Sequence, residues 1–424
     1  MTLPRLLRGI GTLAMSYHEH RDLHGDLPSL SSRATGLDSP LLSELARSGL
    51  RGRGGGGFPL TSKLEAVQRA RGGAVVVVNG CEGEPMSIKD RVLLESLPHL
   101  VIDGAICCAR ALATRDIVIA IDESSVEARE AIRRALRERP DLRRGAARLR
   151  IAAVPSGYVT GQESAIVNFL NDGAAKPLQV TPRITERGVD RRPTLMSNAE
   201  TLAHVALIVR HGSAWFRQLG PSDEPGSALL TVSGAVAQPA VYEIEYGSSL
   251  RSLLAAAGGL TEPARAFLLG GYAGTWVDGK ADTSLALARS SLRPIHASLG
   301  SGIVVVLPES ACPVAETTRV ASWMAEESAG QCGPCSNGLP AIAGALRDIS
   351  EGAGGPSALN DIRRWTELVR GRGACAHPDG AAHFVTSALA VFAEEFEDHA
   401  RHGLCDACDR PPVLFTPRYL AAVN

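Results

Sequence analysis

No stretch of this chain stays apolar for the ~18 residues that a bilayer span requires. The longest apolar runs, residues 74–78 and 303–307, are short and rich in Val and Ile. They predict buried strands and no direct membrane insertion. An excess of charge is lacking too: the formal net charge is −1, so no overall field gathers nucleic acid or an anionic surface. The densest basic stretch, residues 133–150, is diluted by Glu138 and Asp141 and is expected to be the solvated face of a helix. Near the N-terminus Arg8 interrupts a short apolar stretch and no clean cleavage site follows, so a secretory leader is not expected. A cytoplasmic protein, if anything peripheral to a membrane complex, is the expectation.

What is present is a globular composition, 45% apolar and 21% charged, over 424 residues. That length predicts roughly two to four domains. The nine cysteines are clustered. Cys107 and Cys108 lie in an apolar helical run at 100–112 and read as inert core residues. Two C-x-x-C pairs, Cys332/Cys335 and Cys405/Cys408, read as metal or cluster ligands rather than disulfides in a chain without a leader.

Up to about residue 215, helical and strand patterns alternate. Helices are predicted at 41–48, 63–71, 100–112 and 126–137, with strands at 74–78 and 116–121. This is the pattern of an α/β layered domain, placed at 1–220. Pro221 and Pro225 break it. Strand-like segments at 228–236, 241–244 and 303–307 then flank a helix at 250–257, a small α+β module placed at 226–312. Helical patterns follow at 317–327, 339–351, 359–371 and 381–399. They define a helical domain at 315–404, with a tail at 405–424 that carries the second C-x-x-C.

Gly52, Arg53, Gly54, Gly55, Gly56 and Gly57 match G-x-G-x-x-G, yet a helix precedes them where the dinucleotide fingerprint needs a strand. The ordinary Rossmann reading therefore fails. Five glycines in six residues still strip side chains from a loop and let backbone N–H groups approach phosphate. Phe58 sets an aromatic ring beside the loop, and Lys63 a cation about one turn later. A structural turn without ligand is the plainer alternative.

With its flanks, from Leu50 to Pro59, this loop resembles the flavin loop of the flavoprotein subunit of respiratory complex I. That family includes the diaphorase subunits of NAD-reducing hydrogenases and formate dehydrogenases. Four further blocks are similar in order and spacing. They are residues 78–85 with Lys89, Asp90 and Arg91; residues 157–165; residues 193–201; and residues 327–335, which resemble the family's iron–sulfur segment. The resemblance implies an α/β FMN-binding domain, then a small β-grasp domain, then a helical iron–sulfur domain. It implies FMN contacts from Gly52, Arg53, Gly54, Gly55, Lys63, Asn79, Glu82, Tyr158, Gly161 and Asn198. Phe58, Glu84 and Glu163 match positions that hold NADH, and Cys332, Cys335 and Cys375 match cluster ligands.

On that resemblance NADH reduces FMN, and electrons leave through a 4Fe-4S or 3Fe-4S cluster to a ferredoxin, another redox subunit or a quinone reductase. The alternative is a relay subunit that has lost NADH turnover. Several departures bear on the choice. Cys81 and Gln162 stand where the family carries acidic residues. Ala66 and Arg183 replace stacking phenylalanines, and Val180 stands near the usual lysine. Ala329 replaces the first cluster cysteine, so Cys405 and Cys408 could supply a missing ligand or form a Cys₄ zinc site with Cys332 and Cys335.

Overall fold

A computed structural model describes residues 3–11, 13–28, 39–70, 72–145, 147–178 and 182–416. Val180 lies outside these described residues. The chain divides into two compact units: 1–83, 88–229 and 243–247 form the first, and 84–87, 230–242 and 248–424 the second.

The first unit opens with α1 (Tyr17–His24), α2 (Pro40–Ser48) and α3 (Leu60–Arg69). Pro40 starts α2 at a position where its missing N–H costs nothing, and Gly49 ends it at φ 71°. There follow β1 (Val75–Gly80), α4 (Lys89–Ser96), α5 (Pro98–Ala111), β2 (Asp116–Asp122) and α6 (Val126–Glu138). After them come β3 (Arg148–Val154), α7 (Glu163–Asp172), β4 (Thr194–Asn198) and α8 (Ala199–His211). The four strands form one parallel sheet in the order β3-β2-β1-β4. Val75, Val76, Val77 and Val78 are buried, as a strand covered on both faces requires. Gly104 lets α5 and α8 touch: a Cβ there would lie 1.8 Å from the Leu202 carbonyl oxygen.

The basic stretch is not one helix face. Helix α6 ends at Glu138, Arg148 and Arg150 lie on β3, and Arg139 between them is 1% exposed. Its guanidinium meets Asp103 at 2.6 Å and Asp141 at 2.9 Å. Strand β3 is not evident in the sequence because it is a sheet edge, where outward arginines are tolerated and guard an open ladder.

The chain leaves the first unit within β5 (Ser227–Gly234) and crosses it again within β6 (Ala240–Glu245). Beyond these lie α9 (Leu250–Ala256), β7 (Ala264–Leu269), β8 (Thr275–Asp278) and β9 (Ile303–Pro308). The sheet order is β6-β5-β9-β7-β8, with β5 and β9 parallel and β7 antiparallel to both β8 and β9. The helical end comprises α10 (Pro313–Glu326), α11 (Leu339–Ser350), α12 (Gly355–Val369), α13 (His377–Val391) and α14 (Ala393–His402). The single helix expected at 381–399 is thus two, broken at Phe392, whose ring is buried. Among the described residues no single helix is long and apolar enough to cross a membrane.

Candidate functional site

Ligands of open parallel sheets bind beyond the carboxyl ends of the strands, where the strand order reverses. Here the reversal falls between β1 and β4. Asn198 ends β4 and Asn79 is the last residue but one of β1, and the two are direct register partners. The Asn79 side-chain amide donates to the Gly161 carbonyl at 2.9 Å, and its oxygen accepts from the Cys81 amide at 3.1 Å. The Asn198 oxygen caps α8 by accepting from the Glu200 amide at 3.0 Å, while its nitrogen donates to Asp90 at 2.5 Å. Both asparagines therefore hold the strand ends in place.

The glycine loop lies between α2 and α3, as the sequence predicts. Its base is closed by the Gly52 amide donating to the Phe58 carbonyl at 2.8 Å and the Leu60 amide to the Leu50 carbonyl at 3.1 Å. Gly55 has φ 99° and Gly57 φ 57°, a region that side chains avoid. A Cβ on Gly54 would press within 3.2 Å of the Asn198 Cβ, whereas one on Gly56 would meet nothing within 4 Å. The loop is bare backbone on its open side, which fits the approach of a phosphate-bearing group. Arg53 does not reach outward. Its side chain is 5% exposed, stacks on Tyr246 at 4.5 Å and faces Glu200, while its amide donates to the Thr201 hydroxyl at 2.9 Å.

Beneath these ends runs a buried ionic network. Lys89 is 2% exposed and holds Asp90 and Glu200 at 3.0 Å each. The Glu200 carboxylate also accepts from the Leu229 amide at 2.9 Å. Burial works against the Lys89 charge, but the two carboxylates outweigh it and raise its pKa above the ordinary lysine value. Glu82 accepts from the amides of Asp90 and Arg91 at 3.0 and 2.9 Å, capping the first turn of α4. The sequence places Lys89, Asp90 and Glu200 in two blocks that resemble flavin-binding segments, but it does not show that the three pair with one another.

Lys63 and Glu163, on the first turns of α3 and α7, pair directly with each other, and Lys63 also donates to the Met196 carbonyl at 3.3 Å. Phe58 is 51% exposed. Gly83 admits only hydrogen, since a Cβ would come within 2.5 Å of the Tyr158 carbonyl oxygen. Burial, then Asp122 and Asp90, push the Cys81 thiol far above its usual range, so it stays neutral. Ala66 is half-buried and Arg183 exposed. In the second unit, both Glu84 oxygens accept from the Tyr272 amide, at 3.1 and 3.0 Å.

That unit also gathers Cys332, Cys335 and Cys375. Cys335 sits in a wide helical turn, Pro334–Gly338, and is 3% exposed. Burial and then the sulfurs of Cys332 and Cys375 push its thiol up to about 12, with the Ser328 hydroxyl opposing. Cys335 thus lies beside the sulfurs of Cys332 and Cys375, three soft donors of the kind an iron–sulfur centre takes. Cys405 and Cys408 join neither Cys332 nor Cys335. They gather with Cys312 and His399, two residues that no sequence motif singles out.

The chain matches three family models: the Nuo51 FMN-binding domain over residues 45–207, an SLBB domain over 229–273, and the NADH-ubiquinone oxidoreductase-F iron–sulfur binding region over 315–399. It is 34% identical to the second F-type subunit of NADH-quinone oxidoreductase in Rhizobium meliloti (strain 1021), covering 84% of this chain and 88% of that protein. It is 30% identical to the F-type subunit of the same oxidoreductase in Escherichia coli (strain K12), covering 86% and 85%. Among solved structures it superposes on an NAD+-reducing nickel–iron hydrogenase in the H2-reduced state, with a TM-score of 0.77 at 30% identity. That match covers 90% of this chain and 66% of the hydrogenase chain, just under two thirds of its length.

Proposed function

The chain belongs to the family of F-type NADH-quinone oxidoreductase subunits, and from this membership we propose that it oxidises NADH at an FMN and passes the electrons to an iron–sulfur cluster. One observation carries the reading: Asn79 and Asn198 meet at the carboxyl ends of β1 and β4, with the glycine loop packed against Asn198. Bound FMN would supply the exchange between a two-electron donor and a one-electron acceptor.

The chain's own residues bind and orient. Backbone amides of Gly54 and Gly55 line the phosphate loop, Gly52 closes its base through Phe58, and Lys63 adds a cation about one turn into α3. Asn79, Glu82, Tyr158, Gly161 and Asn198 fix the walls, and the Lys89 network holds those walls rigid from below. Arg53 contributes by anchoring the loop to Thr201 rather than by touching phosphate. Phe58 offers an exposed ring to the nicotinamide nucleotide, with Glu163 as an acceptor for its hydroxyls.

Cys332, Cys335 and Cys375 hold the cluster. With Ala329 in place of a fourth cysteine, a three-iron cluster or a cubane with one non-cysteine ligand satisfies the same three thiolates. The sheet segment after residue 226 is the β-grasp module and the helices beyond 315 are the cluster domain. A redox partner, a ferredoxin or a further subunit of a complex peripheral to a membrane, takes the electrons on. The test is NADH:ferricyanide turnover by FMN-replete protein. Turnover supports the reading, and its absence leaves a relay subunit that has lost NADH oxidation.

A further inference from the structure

We infer that Cys312, His399, Cys405 and Cys408 form a structural zinc site that ties the end of the chain to the helical region. Its four ligand atoms, three sulfurs and the His399 Nε2, all lie within 4.8 Å of one another. Cys408 Sγ is 3.6 Å from both Cys405 Sγ and Cys312 Sγ. His399 Nε2 lies 3.5 Å from Cys312 Sγ and 3.4 Å from Cys408 Sγ.

A tetrahedron around zinc, with Zn–S ~2.3 Å and Zn–N ~2.0 Å, has sulfur–sulfur edges of roughly 3.8 Å and nitrogen–sulfur edges of roughly 3.5 Å. These four observed edges match to within a few tenths of an ångström. Two rivals fit worse. A disulfide would bring its sulfurs to ~2.05 Å, and all nine cysteines are free. A cubane iron–sulfur cluster puts each ligand on its own iron, and a two-iron cluster puts two on each, so either spreads the four ligand atoms beyond the edges of a single-metal tetrahedron.

The surroundings are those of a metal site. His399 Nδ1 lies 2.8 Å from the Glu395 carbonyl oxygen, which can only accept, so the proton is on Nδ1. That leaves the Nε2 lone pair aimed at the sulfurs, the usual arrangement behind a metal-bound histidine. Cys312 caps α10 and accepts from the Ala315 amide at 3.4 Å, which fixes its sulfur at the start of that helix. Three Cys and one His close the coordination sphere without water, and a closed set is structural rather than catalytic. Exposed Cys405 and a cavity of about 360 Å³ lined by Arg319, Arg347, Leu404 and Cys408 give the ion a way in.

The ligands come from the start of α10, the end of α14 and the turn after it. Zinc would therefore clamp the tail just before it docks. Glu316 accepts from the amides of Val413 and Leu414 at 3.0 and 2.9 Å, and Leu414 is fully buried. The site needs neither flavin nor NADH, so it stands or falls separately from the proposed activity.

The test is metal and acid-labile sulfide analysis of the full-length protein purified without chelators. One zinc per chain is expected, and Cys405→Ser should remove most of it while iron, sulfide and flavin stay unchanged. Cobalt(II) put in place of zinc in the unmodified protein should show the intense visible bands of a tetrahedral thiolate site. Zinc-free protein, zinc retained by Cys405→Ser, or iron and sulfide lost with that substitution would each overturn the site. So would cobalt bands of octahedral type, a readout that does not depend on a variant folding.

Discussion

The ammonium of Lys63 and the carboxylate of Glu163, 100 residues apart in sequence, pair across the mouth of the candidate flavin site. Each is assigned to a different ligand, so one answers for the charge available to the other. Lys63→Ala should weaken FMN binding by ~1.5–3 kcal/mol, the loss of a charged hydrogen bond. Glu163→Gln should tighten it slightly, because Lys63 no longer divides its charge. Flavin fluorescence titration measures both. Equal weakening in both variants would mean that the pair itself, rather than Lys63, shapes the pocket.

The Lys89 network gives a stability prediction. Lys89→Met leaves Asp90 and Glu200 buried without their cation, which should cost ~3–5 kcal/mol. Flavin should be lost in parallel, since Asn198 hangs on Asp90. Thermal unfolding with flavin release as a second signal checks this. A small drop in Tm with flavin retained would show that the walls do not need the network.

Much of this site is legible in residue order. A glycine loop between two helices and a Val-rich strand survive in one dimension because each is local, whereas Asn198 enters only through the resemblance of residues 193–201. Strand β3 is hidden by Arg148 and Arg150, which sit where a sheet edge meets water. The inward turn of Arg53 is hidden because its partners, Glu200 and Tyr246, come from distant segments. Cys312 and His399 stay hidden for the same reason: Cys312 stands 96 residues from Cys408, and only the packing of α10 against α14 joins them.

Two buried histidines set a pH dependence. Burial, with His20 and Arg210 alongside, holds His24 down to about 3. Burial, with Arg139 and His20, holds His99 down to about 4. Both are neutral when folded, whereas an unfolded histidine takes a proton near pH ~6.5. Their stability contribution is complete above that pH and is lost as pH falls toward 4 and 3, where the folded forms titrate. Urea midpoints should be flat above pH ~7 and drop between pH 6.5 and 4. His99→Gln should flatten part of that slope, and an unchanged slope would remove His99 from the explanation.

Cluster content tests the second unit. Cys375→Ser and Cys332→Ser should each lower iron and labile sulfide together in anaerobic preparations. Ser328→Ala should lower them too if its hydroxyl, beside Cys335, helps to hold the site. Full iron and sulfide in Cys375→Ser would place the cluster on other residues.

The most direct measurement of NADH oxidation is anaerobic stopped-flow mixing of FMN-replete protein with NADH, followed at the flavin absorbance. Rapid bleaching is expected, with Phe58→Ala and Glu163→Gln slowing it while the flavin stays bound. Arg183→Phe should tighten NADH by ~1 kcal/mol if stacking is what Arg183 has given up. If dithionite bleaches the flavin while NADH leaves it oxidised, the chain does not oxidise NADH, and the proposed function is contradicted.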